Sequence, residues 1–230
     1  FIMRIAVRSN GALTPAKARC YRHSLVNWTR RLNDRCESIS SLLCVGLDPR
    51  IDSGSDDPTA EIFNQNISII EATADLAAAF KPNIAFYERY GSAGLTALER
   101  TIAEIPDEIP IILDAKRADI GSTSEAYAEA YFEGLRVDAV TLHPYLGREA
   151  LEPFLMNPDR GVFLLCRTTN PGAGLFQDLR LSDSGDEPLY LHLARECISW
   201  GENVGLVVAG NDVETLRLVR RFAPDSWFLP

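Results

Sequence analysis

Between Leu113 and Thr123 the chain reads Leu-Asp-Ala-Lys-Arg-Ala-Asp-Ile-Gly-Ser-Thr, which sets Asp114, Lys116 and Asp119 directly after the apolar run Ile111-Ile112-Leu113. Taking charge out of water is costly, so two carboxylates and an ammonium at the end of a core strand serve where charge itself is needed. Strand side chains alternate, which turns Asp114 and Lys116 to one side, and Asp119 follows where the chain turns away. The three are expected to face one point in space. The chemistry open to them is electrostatic, and a structural ion-pair network would satisfy the same charges.

The elements around this cluster read as a strand-loop-helix unit. Ser122 and Glu125 have capping-box spacing, and Ala126, Tyr127, Ala130 and Tyr131 give the apolar side of a helix closed by Gly134. The cluster therefore lies at the carboxyl end of a strand, the edge where parallel α/β folds bind ligands. The same rhythm runs along the chain. Before the cluster it predicts helix 28–36, strand 42–47, helix 59–78, strand 79–84 with Lys81, and helix 92–104. After it come strand 139–142, helix 148–156, strand 161–166, helix 188–200, strand 204–209, helix 213–222 and the start of a strand at Trp227. About seven βα units in a row favour a closed (β/α)8 TIM barrel over an open sheet. Such a barrel needs eight strands, so the chain is expected to lack the end of the seventh and all of the eighth.

Composition bounds the partners. The chain has 230 residues, is 46% hydrophobic and 24% charged, and carries a net charge of −9, which argues against nucleic acid as a bulk partner. No apolar run approaches the ~18 residues of a membrane span. Cys20, Cys36, Cys44, Cys166 and Cys197 are odd in number and show no metal-ligand spacing, which suits a reducing, cytoplasmic compartment. Arg and Lys precede the first acidic residue, Asp34, so residues 1–25 are expected to form a basic tail outside a domain spanning 26–230. His143 beside Pro144 lacks a second ligand nearby and reads as a hydrogen-bonded structural residue. Arg167 is expected to pair with a carboxylate, and Asn211-Asp212 to cap the following helix.

The stretch 113–123 resembles the D-x-K-x-x-D-I-x-x-T signature of the orotidine 5'-phosphate decarboxylase family. Leu43-Cys44-Val45-Gly46-Leu47-Asp48-Pro49, Phe80-Lys81-Pro82-Asn83 and Thr168-Thr169-Asn170-Pro171-Gly172 are similar to its longer bacterial branch, in the same order, from about Val26 to Pro230. The resemblance implies a TIM barrel that converts orotidine 5'-phosphate to UMP and CO₂, a carbon–carbon lyase of pyrimidine biosynthesis, without a cofactor or metal. It implies that Asp48 and Lys81 contact the ribose hydroxyls and that Lys81 bonds Asp114. Asp114 would lie against the substrate carboxylate and Lys116 would protonate C6. Asp119, Ile120 and Thr123 would be donated across a homodimer interface.

Thr169 stands where the family usually has a serine that bonds the pyrimidine, in a loop shaped by Pro171, and it keeps the hydroxyl while adding a methyl group. The family's phosphate grip lies after the last two strands. Pro230 matches the first residue of that loop, so no phosphate-binding residue is assigned. Two other readings remain at this point. One is a Mg²⁺-dependent sugar-phosphate decarboxylase or synthase of the same barrel superfamily, and the other is a non-catalytic nucleotide-binding barrel.

Overall fold

The computed structural model describes residues 27–230 apart from 53, 183 and 184, so the basic tail expected at 1–25 lies outside the described residues. Parallel strands β1 (Leu43–Leu47) and β2 (Ala77–Pro82) pair with each other, and β3 (Ile112–Arg117), β4 (Ala139–Leu142), β5 (Gly161–Arg167), β8 (Val204–Val208) and β9 (Phe228–Leu229) form a five-stranded parallel sheet. Bridges Phe80–Ile111 and Asn83–Asp114 join the two. The strands of this wall thus follow one another in chain order, as in a TIM barrel. The short β6 (Arg180–Leu181) and β7 (Glu187–Pro188) form a separate antiparallel hairpin.

Alternation divides the apolar residues between two cores. Phe80, Ile111, Leu113, Val140, Val162, Leu164 and Leu206 face outward under the helices. Ala79, Ile112, Ala139, Phe163 and Leu229 pack inward with Trp28 and Leu32. The outer layer consists chiefly of α2 (Pro58–Thr73), α4 (Gly91–Glu104), α5 (Gly121–Glu129), α6 (Arg148–Leu155), α8 (Leu189–Ile198) and α9 (Val213–Phe222). Asp212 caps α9 by accepting from the Thr215 N–H at 3.0 Å.

The first helix, α1 (Trp28–Ile39), closes the amino-terminal end of the barrel. Arg31 donates to Asp138 at 2.7 Å just before β4, and Arg35 donates to the Ala74 and Ala77 carbonyls at the foot of β2. Trp28 meets Phe163 edge-on inside the wall. With that end plugged, the carboxyl ends of the strands are left to bind ligands.

Three local expectations need correction. Helix α2 stops at Thr73 and β2 already begins at Ala77, because the run Ala77-Ala78-Ala79, a good helix former in isolation, is taken up as small residues in a crowded barrel wall. Helix α5 starts at Gly121 with φ +53° and has no side-chain cap, so Ser122 and Glu125 do not form the expected capping box. Its buried face is Ser124, Ala128, Tyr131 and Phe132, reached through a π turn over Ala130–Gly134. The four-residue helices α3 (Ala85–Glu88) and α7 (Gly174–Gln177) are too short to leave a periodic signal.

Candidate active site

The end of β3 departs from a regular strand. Leu113 pairs with Val140, yet the next registered pair is Arg117 with Leu142, so Asp114, Ala115 and Lys116 together stand opposite Thr141. A bulge of this kind re-aims side chains, and here Lys116 takes φ +49°, a left-handed conformation costly for a residue with a Cβ. Asp114 and Lys116 do share a side, but the bulge sets their geometry.

Asp114 is the hub. Its Oδ1 accepts from Lys116 Nζ at 2.5 Å and from Thr141 Oγ1 at 2.8 Å. Its Oδ2 accepts from Lys81 Nζ and Asn83 Nδ2, each at 3.3 Å. Burial pushes the Asp114 carboxyl upward, but the Lys116 hydrogen bond, the charges of Lys81 and Lys116 and the Thr141 hydroxyl outweigh it and hold the group below the ordinary carboxylate range. The result is an ionised carboxylate, 9% exposed, between two ammonium groups, with the Lys116 side chain 48% exposed toward the open end.

Neighbouring elements fix this hub. Asp48 follows β1 and accepts from the Asn83 N–H at 3.3 Å, which ties the end of β1 to that of β2. Tyr87 donates to the Leu47 carbonyl at 2.8 Å, immediately before Asp48. Arg117 pairs with Glu88, donates to Tyr131 Oη at 2.8 Å and to the Ala115 carbonyl at 3.2 Å, and lies over the Tyr127 ring. The Cys44 thiol of β1, beside Lys81 and Asp114, is pushed up to about 11 by burial and stays protonated at neutral pH.

The remaining expected site residues are placed differently. Among the described residues Asp119 forms no ion pair with Lys116 or Lys81; its Oδ1 accepts from the Ile120 N–H at 2.9 Å. Asp119 follows the end of β3 and is half-buried, next to Ile120, which is 63% exposed, and shortly before the exposed Thr123. Thr169 and Pro171 are exposed on the loop after β5, at the same end of the barrel as the hub. Arg167 pairs with Asp178 at 3.0 Å, and His143 accepts from the Tyr145 N–H at 3.2 Å to start a 3₁₀ turn. The sequence gives little sign of Asn83 and Thr141: Asn83 has only its place near Lys81 in the segment 80–83, and Thr141 reads as one more residue of a core strand.

Comparison with known proteins identifies the family. The pattern of the orotidine 5'-phosphate decarboxylase / HUMPS family matches residues 41–227. The chain is 52% identical over 206 residues to the orotidine 5'-phosphate decarboxylase of Thermomicrobium roseum, covering 87% of this chain and 73% of that protein. It is 48% identical over 210 residues to that of Roseiflexus castenholzii, covering 89% and 76%. Among solved structures, the OMP decarboxylase of Leishmania donovani superposes with a TM-score of 0.81 at 42% identity, over 88% of this chain and 78% of that one. The fold is the α/β TIM barrel of these relatives, and the chain belongs to the orotidine 5'-phosphate decarboxylase / HUMPS family.

Proposed function

We propose that this protein decarboxylates orotidine 5'-phosphate to UMP and CO₂, the last step of UMP biosynthesis. The observation that carries the reading is the Lys81–Asp114–Lys116 array at the carboxyl ends of β2 and β3. Loss of CO₂ from C6 leaves its electron pair on a vinylic carbon with little resonance help. A substrate carboxylate placed against ionised Asp114 is repelled in the ground state, and the repulsion is relieved as neutral CO₂ departs. Lys116 stabilises the pair forming at C6 and then transfers a proton to it. The exposed side of Lys116 lets solvent return that proton.

Charge alone is insufficient. A unit pair about 4 Å apart is worth on the order of 4 kcal/mol at an effective dielectric near 20, whereas large enzymatic accelerations call for about 23 kcal/mol. Binding at the ribose and phosphate must therefore be converted into stabilisation of the transition state. Asp48 and Lys81 are the proposed ribose contacts, and Thr169, in the loop shaped by Pro171, the pyrimidine contact. The exposure of Ile120 and Thr123, which lie in the segment that follows Asp119, supports a homodimer in which Asp119, Ile120 and Thr123 enter the neighbouring site, with residues 26–230 as the barrel domain. Among the described residues Cys36, Cys44, Cys166 and Cys197 are free and, apart from the half-buried Cys44, buried, which supports a reducing, cytoplasmic setting.

The sugar-phosphate branch of the superfamily would require Mg²⁺ beside Asp114, a position facing the ammonium groups of Lys81 and Lys116, which repel a cation. Turnover of orotidine 5'-phosphate by the full-length protein, followed by ultraviolet absorbance, tests the choice. Decarboxylation that is unaffected by EDTA is expected. Turnover of a sugar phosphate that stops with EDTA, or binding of UMP without turnover, would replace this reading.

A further inference from the structure

The bulge in β3 is organised by one hydroxyl. Thr141 is 1% exposed on β4, and its Oγ1 donates to Asp114 Oδ1 at 2.8 Å while accepting from the N–H groups of Ala115 and Lys116, each at 3.0 Å. A hydroxyl has one proton and two lone pairs, and all three are used here. The Ala115 and Lys116 amides sit in the stretch where the β3–β4 ladder is interrupted, and the hydroxyl receives both. Left alone, buried amides would be costly, as would the left-handed backbone of Lys116. The β-branched side chain limits rotation of the hydroxyl out of this position.

From this geometry we infer that Thr141 is a positioning residue for the reaction: its hydroxyl fixes the backbone that aims Lys116 and the carboxylate that Lys116 pairs with. The inference rests on the decarboxylase reading for its kinetic consequence, but its structural part does not. Arg117 braces the same turn from the other side through the Ala115 carbonyl. Groups bonded to Asp114 come from β3 itself and from both adjoining strands: Lys81 and Asn83 by β2, Lys116 on β3 and Thr141 on β4, while the protonated Cys44 thiol on β1 is coupled to it only through the charge of the carboxylate. Thr141 is the one donor in that set that also touches the Lys116 backbone, so its loss acts on both partners together.

The test compares Thr141→Val and Thr141→Ala, which lack the hydroxyl, with Thr141→Ser, which keeps it, in the full-length protein. Thermal melting and UMP binding check the fold, and the alanine variant serves if the valine variant is unstable. Two readouts are taken: the titration of the Asp114 carboxyl by ¹³C NMR, and kcat and KM for orotidine 5'-phosphate. Removing the hydroxyl is expected to move the Asp114 titration upward and to lower kcat by roughly 100-fold, the scale of a misplaced catalytic group, with a smaller change in KM. The serine variant is expected to recover both. Wild-type titration and kcat in a folded hydroxyl-free variant would overturn the inference, as would a serine variant no better than valine. If the wild-type protein fails to turn over orotidine 5'-phosphate, the functional reading falls, and the NMR titration still decides whether Thr141 holds Asp114.

Discussion

At the scale of single residues, the site depends on Asp114 carrying charge where burial would otherwise remove it. The ammonium groups of Lys81 and Lys116 supply the compensation, so the carboxyl is held below its ordinary value of about 3.9. A carboxyl depressed in the folded state adds stability that is present above its unfolded pKa and is lost as pH falls through its folded one. Thermal melting against pH should therefore show wild type losing stability relative to Asp114→Asn only below about pH 4, with a constant difference above it. A difference that kept changing between pH 5 and 8 would contradict this account of the hub. The same substitution leaves two ammonium groups without their shared counter-ion, and activity is expected to fall by at least 100-fold.

At the scale of elements, the far end of the barrel is sealed by α1, where Trp28 fits closely against Gly161 at the start of β5. A Cβ at Gly161 would stand 2.3 Å from the indole, so Gly161→Ala should cost about 1–3 kcal/mol of stability by urea denaturation. Trp28→Ala should cost about 3–5 kcal/mol. Unchanged urea midpoints would show that α1 is not part of the folded core. Most of this architecture is legible in the sequence because strands and helices repeat with strong apolar periodicity. Strand 139–142 and helix 213–222 fall at the expected residues. The strand assignment of Ala77 and Ala78 is not legible, since alanine carries helix propensity and the wall's need for small residues is a tertiary fact. Nor is the bulge, because a lysine at positive φ has no compositional sign and Thr141 differs from a core residue only through what its hydroxyl meets. Asp119 is legible as part of a charge pattern, but its local hydrogen bond to the Ile120 N–H, just past the end of β3, is not.

For the whole molecule, the proposal extends to a homodimer with shared active sites. If Asp119 serves the neighbouring site, mixing a Lys116→Ala protein with an Asp119→Ala protein should regenerate one intact site per heterodimer. After subunit exchange verified by mass, the mixture is expected to recover activity from two nearly inactive parents; no recovery would remove Asp119 from the shared site. The account as a whole stands on Lys116 as the proton donor of a decarboxylase. The most direct measurement is the loss of orotidine 5'-phosphate absorbance with full-length wild type and Lys116→Ala, with UMP binding as the control for folding. Wild type is expected to produce UMP, and the alanine variant to bind UMP yet show no detectable turnover; turnover by the variant near the wild-type rate would contradict it.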